Sequence, residues 1–468
     1  MVQHLSHNQC GKRTYKGDLR DMPISYGEIL TKNQAFAGIW GIGYIGYSTM
    51  IHLASEGIRC IGMDIDPARI NAVNAGLCPV PGLKEWLEMD PVPFVNSGMI
   101  KGTLNSQDIL SSEVLVHFIA IPTERGGQPW WEPLRDVVSR IANAIKHNST
   151  YRPLVIVEST LTPGTTDDII IPIFKEHGIT IGQDILLGIA PRRDWFVKKE
   201  LSLRTLDRIY CGINDESAEA TLSVLRILCD KLHRASHHYV GELVKCVENA
   251  YRHMEITLAN QLCLAYPHVS IREVLELAGT KWNMQTYHPS FGTGGYCIPL
   301  SSHYVLEGAT TPSELSILSA TIETDMRMRE LVAQVIINRG CKNVAILGLA
   351  YRGNLKVSVM SPTIAIAKYL KNADVQVRVF DPYYTAEEIY SETGALMLAF
   401  PEDLHEFDGI LVTTNHQEFL VAQVKEIITS RTDKPVIIDN YGIWADWNWL
   451  NGSNYFRAGD AGWLTWLR

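Results

Sequence analysis

The chain has 468 residues, of which 46% are hydrophobic and 20% are charged. This composition is ordinary for a globular protein, and the length predicts two or three domains because single hydrophobic cores stop growing near about 250–300 residues. A net charge of −9 argues against a nucleic-acid partner, and the lack of a run of about 20 apolar residues argues against a membrane span. The nine cysteines form no CxxC pair and the histidines are scattered. We therefore expect reduced thiols in a cytoplasmic protein without a metal site.

Residues 1–34 are polar, lack the apolar core of a secretory signal and are interpreted as an N-terminal extension. An α/β unit follows. Residues 35–40 form a short apolar strand that meets a glycine-rich turn and a helix running to Glu56. A second strand, residues 59–63, ends at Asp64.

Further apolar runs at 114–121 and 154–157 are predicted to be buried strands, separated by a helix that includes 137–145. The alternation of strand and helix predicts a doubly wound parallel sheet.

The pattern turns helical from about residue 216, and residues 238–266 are predicted to form one long helix that acts as a spine and a subunit contact. A second α/β unit opens at 343–350. The predicted fold is two Rossmann-like doubly wound domains joined by a central helical domain. Its boundaries are 1–34 for the extension, 35–235 for the first domain, 236–335 for the central domain and 336–468 for the second α/β domain.

The glycines of the first unit are typical of a dinucleotide-binding turn. Gly41 permits the tight turn, Gly43 lets a pyrophosphate approach the backbone, and Gly46 lets the helix pack on the strand. The helix N-terminus then offers N–H groups to the phosphates. Asp64 lies about 20 residues further on, where a carboxylate binds the ribose and repels a 2′-phosphate. The pattern predicts NAD, a preference that the nearby Arg69 weakens; a purely structural turn is the alternative.

Cys297 follows a glycine-rich turn at 291–295, which lets a substrate approach the sulfur. A thiol so placed can attack an aldehyde, although most cysteines are simply buried core residues. Lys245, Asn249 and Arg252 share one face of the long helix. A lysine and a carboxamide can stabilise an oxyanion near the thiol, and a solvated polar face is the alternative.

In their order and spacing these motifs resemble the UDP-glucose/GDP-mannose dehydrogenase family over roughly residues 36–445. The matching segments are 41–46, 81–83, 158–160, 163–166, 242–245, 248–252, 291–299 and 348–351.

The resemblance implies an NAD-binding domain, a central domain that forms a homodimer, and a C-terminal domain that binds the nucleotide of a nucleotide sugar, most of all a UDP-hexose. The implied reaction oxidises the C6 alcohol of the sugar to a carboxylate with two NAD. Cys297 would form a thiohemiacetal and then a thioester. Lys245 would stabilise the oxyanion with help from Asn249, and Thr160 would hold the catalytic water.

By the same resemblance, the cofactor-binding residues are Gly41, Gly43, Tyr44, Ile45, Gly46, Asp64, Arg69, Thr123 and Glu158. The implied substrate-binding residues are Arg192, Lys281, Phe291, Gly292, Gly294, Tyr351 and Arg352.

Two positions that carry chemistry in the family differ in this chain. The family has an aspartate where this chain has Ser301, and a serine hydroxyl is no base near neutral pH without help. The family also has a glutamate, implicated in thioester hydrolysis, where this chain has Arg192. Asp194 is a candidate substitute, although its spacing does not suit a simple exchange.

Differences also occur among the implied substrate contacts. Lys281 replaces an arginine that reaches the neighbouring subunit's substrate, and Arg352 replaces a lysine that meets the pyrophosphate. Lys356, Val357 and Val359 replace an acidic pair and an arginine.

Three functions therefore stay open. The first is a complete four-electron dehydrogenase, and the second is a dehydrogenase that stops at the aldehyde or accepts an unusual sugar. The third is a nucleotide-sugar-binding protein without catalysis, against which the retained Cys297, Lys245 and Asn249 argue.

Overall fold

The computed structural model describes residues 25–146, 152–193, 201–447 and 454–467. Two largely parallel β-sheets, each packed with helices, are joined through a set of central helices. The predicted fold class is confirmed.

The strands of the first unit are β1 (Phe36–Trp40), β2 (Cys60–Met63), β3 (Ile100–Thr103), β4 (Val114–Ile119), β5 (Glu124–Arg125), β6 (Gln128–Pro129), β7 (Leu154–Val157), β8 (Leu186–Ile189), β9 (Arg208–Gly212) and β10 (Leu232–Arg234). Its helices are α1 (Tyr26–Thr31), α2 (Tyr44–Ser55), α3 (Pro67–Asn74), α4 (Lys84–Leu87), α5 (Val92–Asn96), α6 (Ser106–Ile109), α7 (Glu132–Lys146), α8 (Ile171–Glu176) and α9 (Asp215–Leu228). A π-helical turn, Thr166–Ile170, leads into α8.

The main sheet of this unit has the order β10, β9, β8, β7, β4, β1, β2, β3, and only the β8–β9 pair is antiparallel. Every residue of β4 and β7 is buried, as the continuous apolar runs predict for central parallel strands. The chain order reverses between β1 and β4. A crevice at the carboxyl ends of these two strands is where open α/β sheets bind ligands.

Part of the predicted N-terminal extension belongs to this unit. Helix α1 packs on α9, with Tyr26 and Leu30 buried. The N–H of Gly27 donates to the Ser223 hydroxyl at 3.1 Å, and a Cβ at Gly27 would overlap the Ser223 carbonyl. Glycine is therefore needed where the two helices meet.

The central helices are α10 (His238–Ala265), α11 (Ile271–Ala278), α12 (Ile298–Glu307) and α13 (Ser316–Asn338). The buried face of α10 carries mostly small and polar side chains, among them Cys246, Asn249 and His253. By contrast, the side chains of Tyr251 and Leu258 are 62% and 55% exposed. Residues seven positions apart lie on one helix face, so α10 exposes two large apolar side chains on the same side.

The strands of the second unit are β11 (Asn343–Leu347), β12 (Gln376–Phe380), β13 (Leu396–Met397), β14 (Gly409–Val412), β15 (Val436–Asp439) and β16 (Tyr455–Arg457). Its helices are α14 (Pro362–Asn372), α15 (Ala386–Thr393) and α16 (Ala422–Ser430). Short 3-10 turns occur at Pro312–Glu314, Glu402–Glu406, Gln417–Phe419 and Thr465–Leu467.

The second sheet is parallel throughout, in the order β13, β12, β11, β14, β15, β16. This order matches β3, β2, β1, β4, β7, β8 of the first unit, so the two units are built on the same topology. Among the residues that the structure describes, no helix is long and apolar enough to cross a bilayer.

Candidate active site

The turn after β1 has the geometry that a pyrophosphate requires. Gly41 adopts a φ of +87°, and a Cβ at Gly46 would overlap the Gly41 carbonyl. A Cβ at Gly43 would meet nothing within 4 Å, so the backbone is open to a ligand there. Tyr44 and Ile45 form the first turn of α2, whose N-terminus faces the crevice between β1 and β4. These features fit NAD.

Asp64 follows β2 and is 5% exposed. Its Oδ2 accepts the N–H of Ile42 at 2.7 Å, which joins it to the glycine turn. Arg69 lies 3.3 Å from Asp64 and 3.6 Å from Asp66. Two carboxylates therefore face the guanidinium, and the effect of Arg69 on the choice between NAD and NADP stays a prediction.

Glu158 and Arg192 belong to a buried ionic network. Glu158 accepts from Arg208 at 2.5 Å and from Thr49 at 2.6 Å, and Arg192 lies 3.8 Å from its second oxygen. Arg192 also donates to Ser48 and Thr49 of α2. The network fixes α2 on the sheet. Both side chains lie inside the unit, so the geometry does not fit a cofactor contact by Glu158 or a substrate contact by Arg192. The candidate substitute, Asp194, lies outside the described residues.

Thr160 is connected to α10 and α12 through its neighbours Leu161 and Thr123. Its carbonyl accepts from the Thr123 hydroxyl at 2.7 Å, and the carbonyl of Thr123 accepts from the Tyr304 hydroxyl at 2.6 Å. The next residue, Leu161, accepts from the thiol of Cys246 on α10 at 3.3 Å. Thr160 is thereby brought beside the part of α10 that carries the predicted catalytic lysine.

Ser301 joins Asn249 to Cys297. Asn249 Nδ2 donates to the Ser301 hydroxyl at 3.0 Å, and that hydroxyl donates to the Cys297 carbonyl at 2.6 Å. Cys297 is exposed and immediately precedes α12. Lys245 lies one turn before Asn249 on α10 and makes no hydrogen bond or ion pair with any residue that the structure describes. The structure therefore links the Asn249 carboxamide to the backbone of Cys297, and the Lys245 ammonium group has no partner among the described residues.

The turn before Cys297 is held by side chains from distant parts of the chain. Its N–H groups at Ser290, Phe291 and Thr293 donate to Asn260, Asn440 and Asp325 at 2.8, 2.9 and 2.7 Å. Gly292 has a φ of +120°, which favours glycine. The ring of Phe291 is fully buried and stacks on Trp463. Phe291 therefore packs in the core, and its side chain does not fit the predicted substrate contact.

The second unit contacts the same turn. A Cβ at Gly294 or Gly295 would overlap the side chain of Tyr351, and the Gly295 N–H donates to the Val359 carbonyl at 2.7 Å. Burial and, second, the nearby Cys297 raise the pKa of Tyr351 to about 12. The thiol thus lies where the two α/β units meet.

Each part of the chain matches one domain of a known family. The family's NAD-binding domain matches residues 37–227, its central domain residues 240–327 and its UDP-binding domain residues 345–446. The chain belongs to the UDP-glucose/GDP-mannose dehydrogenase family. The prediction of an NAD-dependent nucleotide-sugar dehydrogenase is confirmed.

Relatives of this dehydrogenase align along most of its length. It is 27% identical to UDP-N-acetyl-D-glucosamine 6-dehydrogenase from Pseudomonas aeruginosa, over 81% of this chain and 90% of the relative. It is 27% identical to UDP-N-acetyl-D-mannosamine dehydrogenase from Pyrococcus horikoshii, over 86% of this chain and 95% of the relative. A solved structure of a UDP-D-ManNAc dehydrogenase from Pyrococcus horikoshii superposes with a TM-score of 0.77 at 25% identity and covers 91% of this chain and 99% of the other.

The departures of this dehydrogenase from the family pattern have structural counterparts. The Ser301 hydroxyl binds the thiol segment and is 2% exposed. Lys356, in place of an acidic residue, pairs with Glu388 at 2.6 Å. Lys281 is exposed beside Trp282, which is 92% exposed, so this segment lies on the outer surface of the central helices.

Sequence reasoning found the motifs around Glu242 and Thr166 but not the contact between them. Glu242 of α10 accepts the N–H groups of Gly164 and Thr166 at 2.8 and 3.0 Å. Burial raises the pKa of Glu242, against the opposing effect of these hydrogen bonds. The sequence around Glu242 does not indicate which backbone groups its carboxylate binds. The glycine and threonines at 164–166 predict only a turn.

Asp381, after β12, corresponds in position to Asp64 of the first unit. Its Oδ2 accepts the N–H groups of Leu349 and Ala350 at 2.8 and 2.9 Å, and His416 lies 3.1 Å away. Burial alone raises the pKa of Asp381, but the hydrogen bond and charge of His416, with the backbone N–H groups, lower it below its ordinary value. An ionised carboxylate therefore shapes the turn that carries the predicted nucleotide-binding residues.

Proposed function

We propose that this dehydrogenase oxidises the C6 hydroxyl of a UDP-N-acetylhexosamine to a carboxylate, with reduction of two NAD. Relatives that act on UDP-N-acetylglucosamine and UDP-N-acetylmannosamine, by their names, support this substrate class. The observation that supports the proposal is the hydrogen-bonded link from Asn249 through Ser301 to the backbone carbonyl of Cys297, a residue that is exposed in a turn contacted by the second unit.

When bound in the first crevice, NAD supplies the hydride acceptor. Transfer of a hydride to NAD and of the hydroxyl proton to water converts the C6 alcohol to an aldehyde, and the sulfur of Cys297 adds to the aldehyde carbon. Lys245 and Asn249 donate hydrogen bonds to the oxygen that becomes negative. Loss of a second hydride gives a thioester, and a water held by Thr160 cleaves it to the carboxylate and the free thiol.

The nucleotide half of the substrate is assigned to the second unit. Tyr351 lies against the reactive turn, and Arg352 makes no ion pair with the residues described. A free guanidinium suits a pyrophosphate because it donates two parallel hydrogen bonds. Gly292 and Gly294 let the sugar approach the backbone beside the thiol.

We propose that a second copy of the chain covers the outer surface of the central helices. Tyr251, Leu258 and Trp282 are exposed there, and an apolar surface of this kind marks a protein interface. Lys281 lies in the same region and would reach the partner's substrate.

The deciding experiment counts NADH formed per sugar with UDP-N-acetylglucosamine, UDP-N-acetylmannosamine, UDP-glucose and GDP-mannose. Two NADH per N-acetylated sugar supports the proposal. One NADH supports a dehydrogenase that stops at the aldehyde, which the buried Ser301 and Arg192 favour because neither offers a free base. No NADH with any sugar would exclude both.

Cys297→Ser tests the covalent step. We expect it to abolish formation of the sugar acid while NAD binding, followed by tryptophan fluorescence, stays unchanged. Cys78→Ser is the control, since Cys78 is also a free cysteine that is not fully buried. Sugar acid formed by Cys297→Ser at the normal rate would rule out the thioester.

A further inference from the structure

A buried group of charged side chains, outside the residues assigned so far, holds the turn that precedes Cys297. Its centre is Thr293, whose three polar atoms are each bound by a side chain. The Thr293 N–H donates to Asp325 at 2.7 Å and its carbonyl accepts from Arg329 at 2.8 Å. Its hydroxyl lies 3.3 Å from His253 Nε2. The residue four positions before the thiol is therefore fixed from both α10 and α13.

The other ring nitrogen of His253 holds the helix that follows the thiol. His253 Nδ1 lies 2.9 Å from the Ser302 hydroxyl, and Nε2 lies 3.7 Å from the Asp325 carboxylate. One turn earlier on α10, Asn249 binds Ser301 at 3.0 Å. Two consecutive residues of α12 are thus bound by residues that lie on one face of α10.

We propose that His253 is a positioning residue for the Cys297 thiol. One imidazole binds both flanks of the reactive segment, the turn at Thr293 and the helix at Ser302. It thereby fixes the sulfur relative to the lysine and carboxamide on its own helix. This inference rests on the proposed function, in which that thiol forms the covalent intermediate.

The chemistry of the group supports a positioning role over simple packing. His253 and Asp325 are 1% and 2% exposed. Burial alone raises the pKa of Asp325, but the nearby imidazole of His253 and the charge of Arg329 lower it below its ordinary value, so the carboxylate is ionised. Apolar side chains of equal volume often stabilise a core as well as buried ions do. The directed bonds to the turn and to α12 are what apolar side chains could not provide.

Three substitutions separate the two contacts of the imidazole. His253→Asn keeps a polar atom at the position of Nδ1, His253→Gln keeps one at the position of Nε2, and His253→Leu keeps neither. Thr257→Val is the matched control. Thr257 lies one turn further along α10, is equally buried, and its hydroxyl has no partner among the residues described.

We expect His253→Leu to lower kcat about 10- to 100-fold, the effect of misplacing a reacting group by about 1 Å. KM for the UDP-sugar and Kd for NAD should stay within about two-fold, because ground-state binding does not use the thiol. The asparagine and glutamine variants should each recover part of the loss, and Thr257→Val should match the unchanged enzyme. Unchanged kcat in all variants, or no recovery by either polar variant, would overturn the proposal.

The thiol gives a second measurement that does not depend on the reaction. Alkylation of Cys297 by iodoacetamide, followed by peptide mass spectrometry, should slow in His253→Leu and recover in the polar variants. Cys297 is already exposed, so a looser turn adds no access. The alkylation rate then reports the surroundings of the sulfur, which under the proposed function include the Lys245 ammonium group. An unchanged alkylation rate would refute the proposal. Altered alkylation in an enzyme that reduces no NAD would instead refute the proposed function alone.

Discussion

Arg192→Glu restores the glutamate of the family pattern, and the structure predicts a loss of stability from it instead of a gain in thioester hydrolysis. The guanidinium of Arg192 is buried, lies 3.8 Å from Glu158 and donates to the hydroxyls of Ser48 and Thr49. A glutamate at this position would bring a second carboxylate against Glu158 inside the first unit. Like charges at that distance in a buried site repel strongly.

The magnitude follows from the contacts that are lost. Removing one partner of a buried ion pair costs about 3–5 kcal/mol, and each lost hydrogen bond to a hydroxyl adds about 1 kcal/mol. Arg208 still binds the other oxygen of Glu158 at 2.5 Å, which keeps the expected loss at about 4–5 kcal/mol. Such a loss is a large part of the roughly 5–15 kcal/mol that stabilises a typical domain.

Urea unfolding followed by circular dichroism measures this free energy of unfolding. Arg192→Met is the matched control, because it keeps the length of the side chain and adds no carboxylate; we expect it to lose about half as much. If Arg192→Glu unfolded within about 1 kcal/mol of the unchanged protein, the charge at this position would not be buried as described. The glutamate of the variant would then be free to take the role that the family pattern gives to this position.

Three further outcomes follow from other contacts. Ser301→Ala removes the hydroxyl that accepts from Asn249 and should lower kcat about ten-fold at constant KM, whereas Ser301→Thr should keep most of the rate. Equal rates for the alanine variant and the unchanged enzyme would show that this hydrogen bond has no role in the reaction. Leu258→Asp places a charge in the proposed interface, so light scattering should show a monomer for the variant and a dimer for the unchanged chain. A variant that stays dimeric would show that the interface lies elsewhere. Asp381→Asn removes a carboxylate whose pKa is lowered in the folded state, chiefly by His416 against the opposing effect of burial. Stability from such a group is present above the unfolded pKa of about 3.9 and is lost as the pH falls through the folded pKa. The variant should therefore be less stable by a constant amount from about pH 8 to pH 5, and the difference in urea midpoints should close only below about pH 4. A difference that disappeared near neutral pH would contradict this account.

Much of the fold could be predicted because parallel strands buried on both faces leave continuous apolar runs. The run predicted at 114–121 contains β4, and the strand predicted at 59–63 contains β2. Helix α1 was not predicted, because it lies in a polar segment and needs only two apolar side chains, Tyr26 and Leu30, to pack on α9. The antiparallel direction of β9 could not be predicted from the sequence, since it depends on the path of the chain and not on residue type.

The candidate site was predictable where its residues fall in short motifs. Cys297, Lys245 and Asn249 stand in such segments, and their roles stay predictions. The anchor of the thiol turn at Asn440 lies 149 residues from the N–H that it binds, and no local pattern reports it. For Arg192, the resemblance predicts the position in the chain but not the orientation of the side chain, which points into the first unit toward Glu158.

The contact of Tyr351 with Gly294 and Gly295 means that the unit that matches the UDP-binding domain touches the turn before Cys297 directly. Interactions made with uridine and the phosphates, far from the reacting carbon, can therefore lower the activation barrier as well as tighten binding. A free N-acetylhexosamine offers the same primary alcohol without those interactions. It would be oxidised slowly even when it saturates the enzyme.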